Sequence, residues 1–153
     1  MNHKEFIIGE VKEDDFSKLF TSVTKSTTSE DIYEHWDLKI TAKIDVKSIK
    51  KQARGDIFYN ENFHWIETMN VNGERGWLYG DADFFAFETI DYWIINDKLS
   101  LQKFIEDKTK DKVVGSLKDP YELYRRANRK DIVTKVKTLD LFYLAKQIIK
   151  KQL

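Results

Sequence analysis

Residues 34–48 read EHWDLKITAKIDVKS, and the alternation within them decides the fold. Ile44 and Val46 alternate with Lys43, Asp45 and Lys47, a period of two that predicts a strand over 43–50. A second strand is expected over 32–39, with Thr41-Ala42 between the two. Folded back about Thr41, the pair makes a hairpin that sets Asp37 across from Asp45 and His35 across from Lys47. Asp37, Asp45 and Lys47 then share one sheet face.

Two carboxylates facing each other across a strand pair repel unless something positive lies between them. A divalent cation with oxygen ligands meets that need, and Mg²⁺ takes only one or two carboxylates together with water and phosphate oxygens. Lys47 beside such an ion would orient or help deprotonate a water and stabilise charge growing on a phosphate. Those parts amount to metal-assisted phosphodiester hydrolysis. A solvated strand face is the plainer reading of the same three residues.

Outward from this stretch, residues 13–25 (EDDFSKLFTSVTK) predict a helix with Phe16, Leu19, Phe20 and Val23 on one face. Residues 26–31 are polar and turn-like, and 4–9 are a short strand or a lead-in. A loop over 51–62 leads to a strand at 63–71 (FHWIETMNV), which ends in the turn signal Asn72-Gly73. Gly76–Asp83 is a loop or short helix. Residues 84–89 are strand or helix, and 92–96 a strand. A helix follows over 98–107, a charged loop over 108–119 and a strand over 131–137. An amphipathic helix capped by Thr138 is expected over 138–152. These elements predict one domain over 1–153, a mixed sheet flanked by helices of the α/β or α+β kind.

With no cysteine, disulfide frameworks, thiolate zinc sites and cysteine nucleophiles are excluded. Apolar runs fall short of the ~20 residues that cross a bilayer, and no basic segment followed by an apolar run opens the chain. A cytoplasmic chain without membrane association is expected. The formal net charge is zero, but residues 117–153 carry ten Lys/Arg against four Asp/Glu. Within them Arg125, Arg126, Arg129 and Lys130 form the best candidate for phosphate contacts, against an equal case for plain solubility charge.

The spacing of Asp37 from the apolar-flanked Asp45-Val-Lys47 resembles the signature of the PD-(D/E)XK, restriction-endonuclease-like nucleases. Trp36 stands where that signature has proline, and Asp45 where glutamate is more frequent. His64-Trp-Ile-Glu67, Asn72-Gly73, Gly76-Trp77, Ala82-Asp83-Phe84-Phe85 and Tyr92-Trp93-Ile94-Ile95 resemble small phage-type members of the superfamily. The resemblance implies an αβββαβ core with a central mixed sheet. It implies Asp37, Asp45 and Lys47 as catalytic residues, Asp37 and Asp45 as metal ligands, and Glu67 as a further ligand or water-positioning group. Mg²⁺ with Mn²⁺ as a substitute, a DNA substrate, a homodimer as one arrangement, and the host cytoplasm for a phage-encoded chain are implied likewise. A catalytically inactive module of the same fold, gripping nucleic acid or a protein, is the alternative. A structural protein docking through its basic C-terminal part is a third reading.

Overall fold

The computed structural model describes residues 17, 22–51, 56–112, 114–115 and 119–152. The chain divides between Lys43 and Ile44 into two compact units. Its architecture is mixed α/β: the described residues form three α-helices and ten strands.

In the first unit, β1 (Val23–Lys25) pairs antiparallel with β2 (Leu38–Ile40), and α1 (Thr28–Glu34) connects them. The helix begins in a capping box. Thr27 Oγ1 accepts the Glu30 N–H, and the Glu30 carboxylate accepts the Thr27 N–H at 2.7 Å. That bonding holds the exposed Glu30 carboxyl below its usual pKa. His35, at φ 58°, ends the helix in the left-handed conformation. The strand expected over 32–39 is therefore helix as far as Glu34, because the cap satisfies the helix start locally. The helix expected over 13–25 lies mainly outside the described residues, as does the segment 4–9. Val23–Lys25 at its end is strand.

The second unit holds β3 (Ile44–Lys47), β4 (Phe63–Met69), a 3₁₀ turn (Trp77–Tyr79), β5 (Phe84–Glu88) and β6 (Tyr92–Asp97). Next come α2 (Lys98–Thr109), β7 (Val114–Gly115), β8 (Leu123–Arg125), β9 (Ile132–Lys137), α3 (Thr138–Leu144) and β10 (Gln147–Lys150). In place of one central sheet there are two four-stranded sheets, ordered β10-β6-β5-β3 and β4-β9-β8-β7. The inner faces of both feed the same core. Ile66 and Val136 come from one sheet, Phe85, Phe87 and Ile94 from the other, and all five are fully buried. Each such side chain contributes about 1.5–3 kcal/mol by leaving water. Leu101 and Ile105 of α2 join the cluster, and Asp97 caps that helix by accepting the Ser100 N–H at 2.9 Å.

The C-terminal helix is shorter than its sequence pattern predicts. α3 ends at Leu144, and the Lys146 N–H turns to the Ile95 carbonyl at 2.8 Å. Ile148 and Ile149 then pair with Ile94 and Trp93 as β10. Two adjacent β-branched residues favour that strand, and the open edge of β6 supplies the hydrogen-bond partners. Thr138 is not the cap either. Lys137 holds that position, and the Thr138 hydroxyl donates to the Glu61 carbonyl. No helix among the described residues is long and apolar enough to cross a membrane.

The segment after β4 turns at Gly73, whose φ of +86° suits glycine. It returns to β4 at Gly76, whose N–H donates to the Thr68 carbonyl at 3.0 Å. A Cβ on Gly76 would stand 2.3 Å from the Glu67 carbonyl oxygen, so only glycine lets the 3₁₀ turn sit this close. Replacing Gly76 by alanine should cost about 1–3 kcal/mol as the turn is forced off the strand. Urea denaturation of wild type and Gly76→Ala measures this, and equal midpoints would refute the close-approach account.

Candidate functional site

Parallel pairing aligns Asp45 with Phe85 and Lys47 with Phe87. Both polar side chains therefore lie on the core side of β3, at the edge of its sheet, while Ile44 and Val46 are exposed on the other side. Lys47 Nζ lies 2.7 Å from Asp45 Oδ2 and 3.9 Å from the Trp77 ring centroid. The Trp77 ring also packs on Phe85, with centroids 5.1 Å apart. Lys47 is thus held by a carboxylate on one side and an aromatic face on another. Such a cation–π contact is worth about 0.5–2 kcal/mol, more as water is excluded.

A cleft of about 240 Å³ opens beside this pair, between the edge strands of the two sheets. Lys47, Ser48 and Lys50 line it from β3 and the segment beyond, and Phe63, Trp65 and Glu67 line it from β4. Glu67 Oε1 accepts the Trp77 N–H at 3.4 Å, a long bond that ties the carboxylate to the residue on which Lys47 rests. Glu88 anchors the chain beyond Ser48. Its carboxylate accepts the Ile49 N–H at 3.1 Å and pairs with Lys151 at 2.6 Å. Lys151 is the main reason its pKa lies below the ordinary value.

His64 also borders the cleft but is only 4% exposed. Its ring meets Phe87 edge-on at 5.2 Å, and Nε2 has no hydrogen-bond partner. Burial pushes its pKa down to about 4, partly opposed by the Glu88 charge, so the imidazole is neutral at pH 7.

The structure sets Lys47 and Glu67 in the lining of one cleft, with Asp45 paired to Lys47 beside it, through β3–β5 pairing and the Gly76 turn rather than through a hairpin. β2 pairs with β1, and β3 with β5, so the expected register of Asp37 opposite Asp45 is not formed. Asp37 belongs to the first unit, where its carbonyl accepts the Ser26 N–H at 2.9 Å. Among the described residues no group of three or more His, Asp or Glu side chains is placed to hold a metal ion.

The basic cluster divides. Arg126 is committed to Asp131, with Nη2–Oδ2 at 2.5 Å, and the Asp131 side chain is only 2% exposed. Lys130 lies over Gly73, while Arg125 and Arg129 are exposed. The sequence reading missed Lys50 and Trp65. The parity of Phe63, Trp65 and Glu67 in β4 was the available signal for Trp65, whereas Lys50 reaches the cleft only through the tertiary fold.

No family model, curated protein or solved structure matches this chain.

The neutral, buried His64 makes stability depend on pH with a definite sign. Its folded pKa lies below the ordinary 6.5, so its contribution is complete above 6.5 and is lost as pH falls toward 4. Between pH 7 and pH 5 the loss should be roughly 2 kcal/mol. Urea midpoints at the two pH values measure it, and His64→Leu should flatten the dependence. An unchanged slope in that variant would assign the effect to other groups.

Proposed function

We propose that the cleft between β3 and β4 hydrolyses phosphodiester bonds in DNA with the help of a divalent cation. The observation carrying this reading is the Asp45–Lys47 ion pair on the core side of an edge strand, whose lysine lines a cleft together with Glu67. A lysine and an acid lining one opening, with a second acid paired to the lysine, are the kinds of group that metal-assisted attack on a phosphate uses. The reading draws only on residues of the second unit. The PD-(D/E)XK resemblance belongs to the same proposal; of the strands its αβββαβ core would use, β3 and β5 lie in one sheet and β4 and β9 in the other.

Two carboxylates suit a weakly held Mg²⁺ whose remaining ligands come from water and substrate, rather than a cage made by protein alone. Asp45 and Glu67 would hold it, with Mn²⁺ as a substitute, and the ion would supply Lewis-acid neutralisation of the phosphate charge. Lys47 has two tasks in this reading. Its ammonium donates to a phosphate oxygen, and it orients the water whose oxygen attacks phosphorus as the ester P–O bond breaks. Trp77 and Asp45 hold the Lys47 ammonium itself, so it does not have to be ordered when substrate arrives.

A second reading is nucleic-acid binding without hydrolysis. It is favoured by Lys47 being held on two sides, by Asp45 and by the Trp77 ring. One experiment separates the two. Plasmid and oligonucleotide DNA incubated with Mg²⁺ should be cut by wild type, and Asp45→Asn, Lys47→Ala and Glu67→Gln should each slow cutting by about 10²–10³-fold. Activity undiminished in Asp45→Asn and Lys47→Ala sinks the assignment, and binding without any cutting establishes the second reading.

A further inference from the structure

The outward parity of β4 runs Phe63, Trp65, Glu67, and antiparallel pairing sets Phe63 across from Lys137 and Trp65 across from Lys135. Phe63 and Trp65 are half-buried, and Lys137 is exposed. Lys135 Nζ lies 5.2 Å from the Phe63 ring centroid, so rings on β4 stand beside ammonium groups on β9. The same two aromatics border the cleft, whose other wall carries the exposed Lys50.

We propose that this face and the adjoining cleft bind a single strand of nucleic acid, Trp65 stacking on its bases and Lys50 and Lys137 neutralising its phosphates. Stacking platforms interleaved with lysines are the general device for gripping unpaired strands, because every base has a π-face while a duplex hides its own. Charge supports the same occupant. The outward residues of β9 opposite Phe63 and Trp65 are Lys137 and Lys135, both cationic. Trp77 has a different position. Its ring is occupied by Lys47 and Phe85, so the half-buried Trp65 is the platform that remains. The inference rests on the nucleic-acid reading of the cleft and is independent of hydrolysis.

Fluorescence anisotropy of a labelled oligothymidylate of about twelve nucleotides, with EDTA present to prevent cutting, tests it against a duplex of equal length. The single strand should bind at least about tenfold more tightly than the duplex. Trp65→Ala should weaken binding by about tenfold, and Trp65→Phe should retain most of it. The exposed Lys137→Ala should lower the salt slope by about 0.7, the value of one single-strand phosphate contact. Circular dichroism confirms folding of each variant. Duplex binding as tight as single-strand binding, no binding to either, or Trp65→Ala and Lys137→Ala both matching wild type would overturn the proposal. Mg²⁺-dependent cutting of duplex DNA without single-strand preference overturns it while leaving hydrolysis standing. Single-strand binding without cutting supports it and removes hydrolysis instead.

Discussion

Parallel pairing of β3 with β5 is the constraint on which the site depends. Side chains alternate strictly along a strand, so a shift of one residue against β5 would carry Asp45 and Lys47 to the outer side and bring Ile44 and Val46 inward. The register that buries Phe85 and Phe87 is the one that sets a carboxylate and an ammonium at the lip of the core. Core burial amounts to several kcal/mol for the two phenylalanines, whereas the partly exposed Asp45–Lys47 pair is worth about 1 kcal/mol or less by itself. Packing therefore selects the register, and the charged pair follows from it.

Glu67 reaches the same opening by a separate route. β4 lies in the other sheet, and the chain beyond it must come back close enough for Trp77 to rest on Phe85 and receive Lys47 on its ring. Gly76 permits that return because it has no Cβ to strike the strand. A backbone approach of this kind and a pairing register of the other kind together explain why acid and base groups from distant parts of the sequence share one cleft.

Much of the second unit is legible in the sequence. The strands near 63–71, 84–89, 92–96 and 131–137 and the helix near 98–107 follow from periodicity, because each buries one continuous face. Asp45 and Lys47 share a side by alternation alone. The partner of β3 was not legible, since a parallel neighbour some forty residues away leaves no local signal. Nor was β10, where a helical pattern lost to the bonding groups along β6. The α1 cap was legible in Thr27 and Glu30, three residues apart, but the apolar alternation after it suggested strand. The burial of His64 beside the half-exposed Trp65 depends on which side of β4 faces the core, and composition does not fix that.

The pairing of β4 with β9 joins Phe63 to Lys137, and β10 lies further along the sequence still. On a ribosome β4 therefore waits for its partner until β9 has been made. Closing such a span costs chain entropy before any contact repays it, and topologies rich in distant pairings fold slowly. Once paired, β10 is an edge strand that carries the exposed Lys150, and a charge on a sheet edge discourages pairing with other chains.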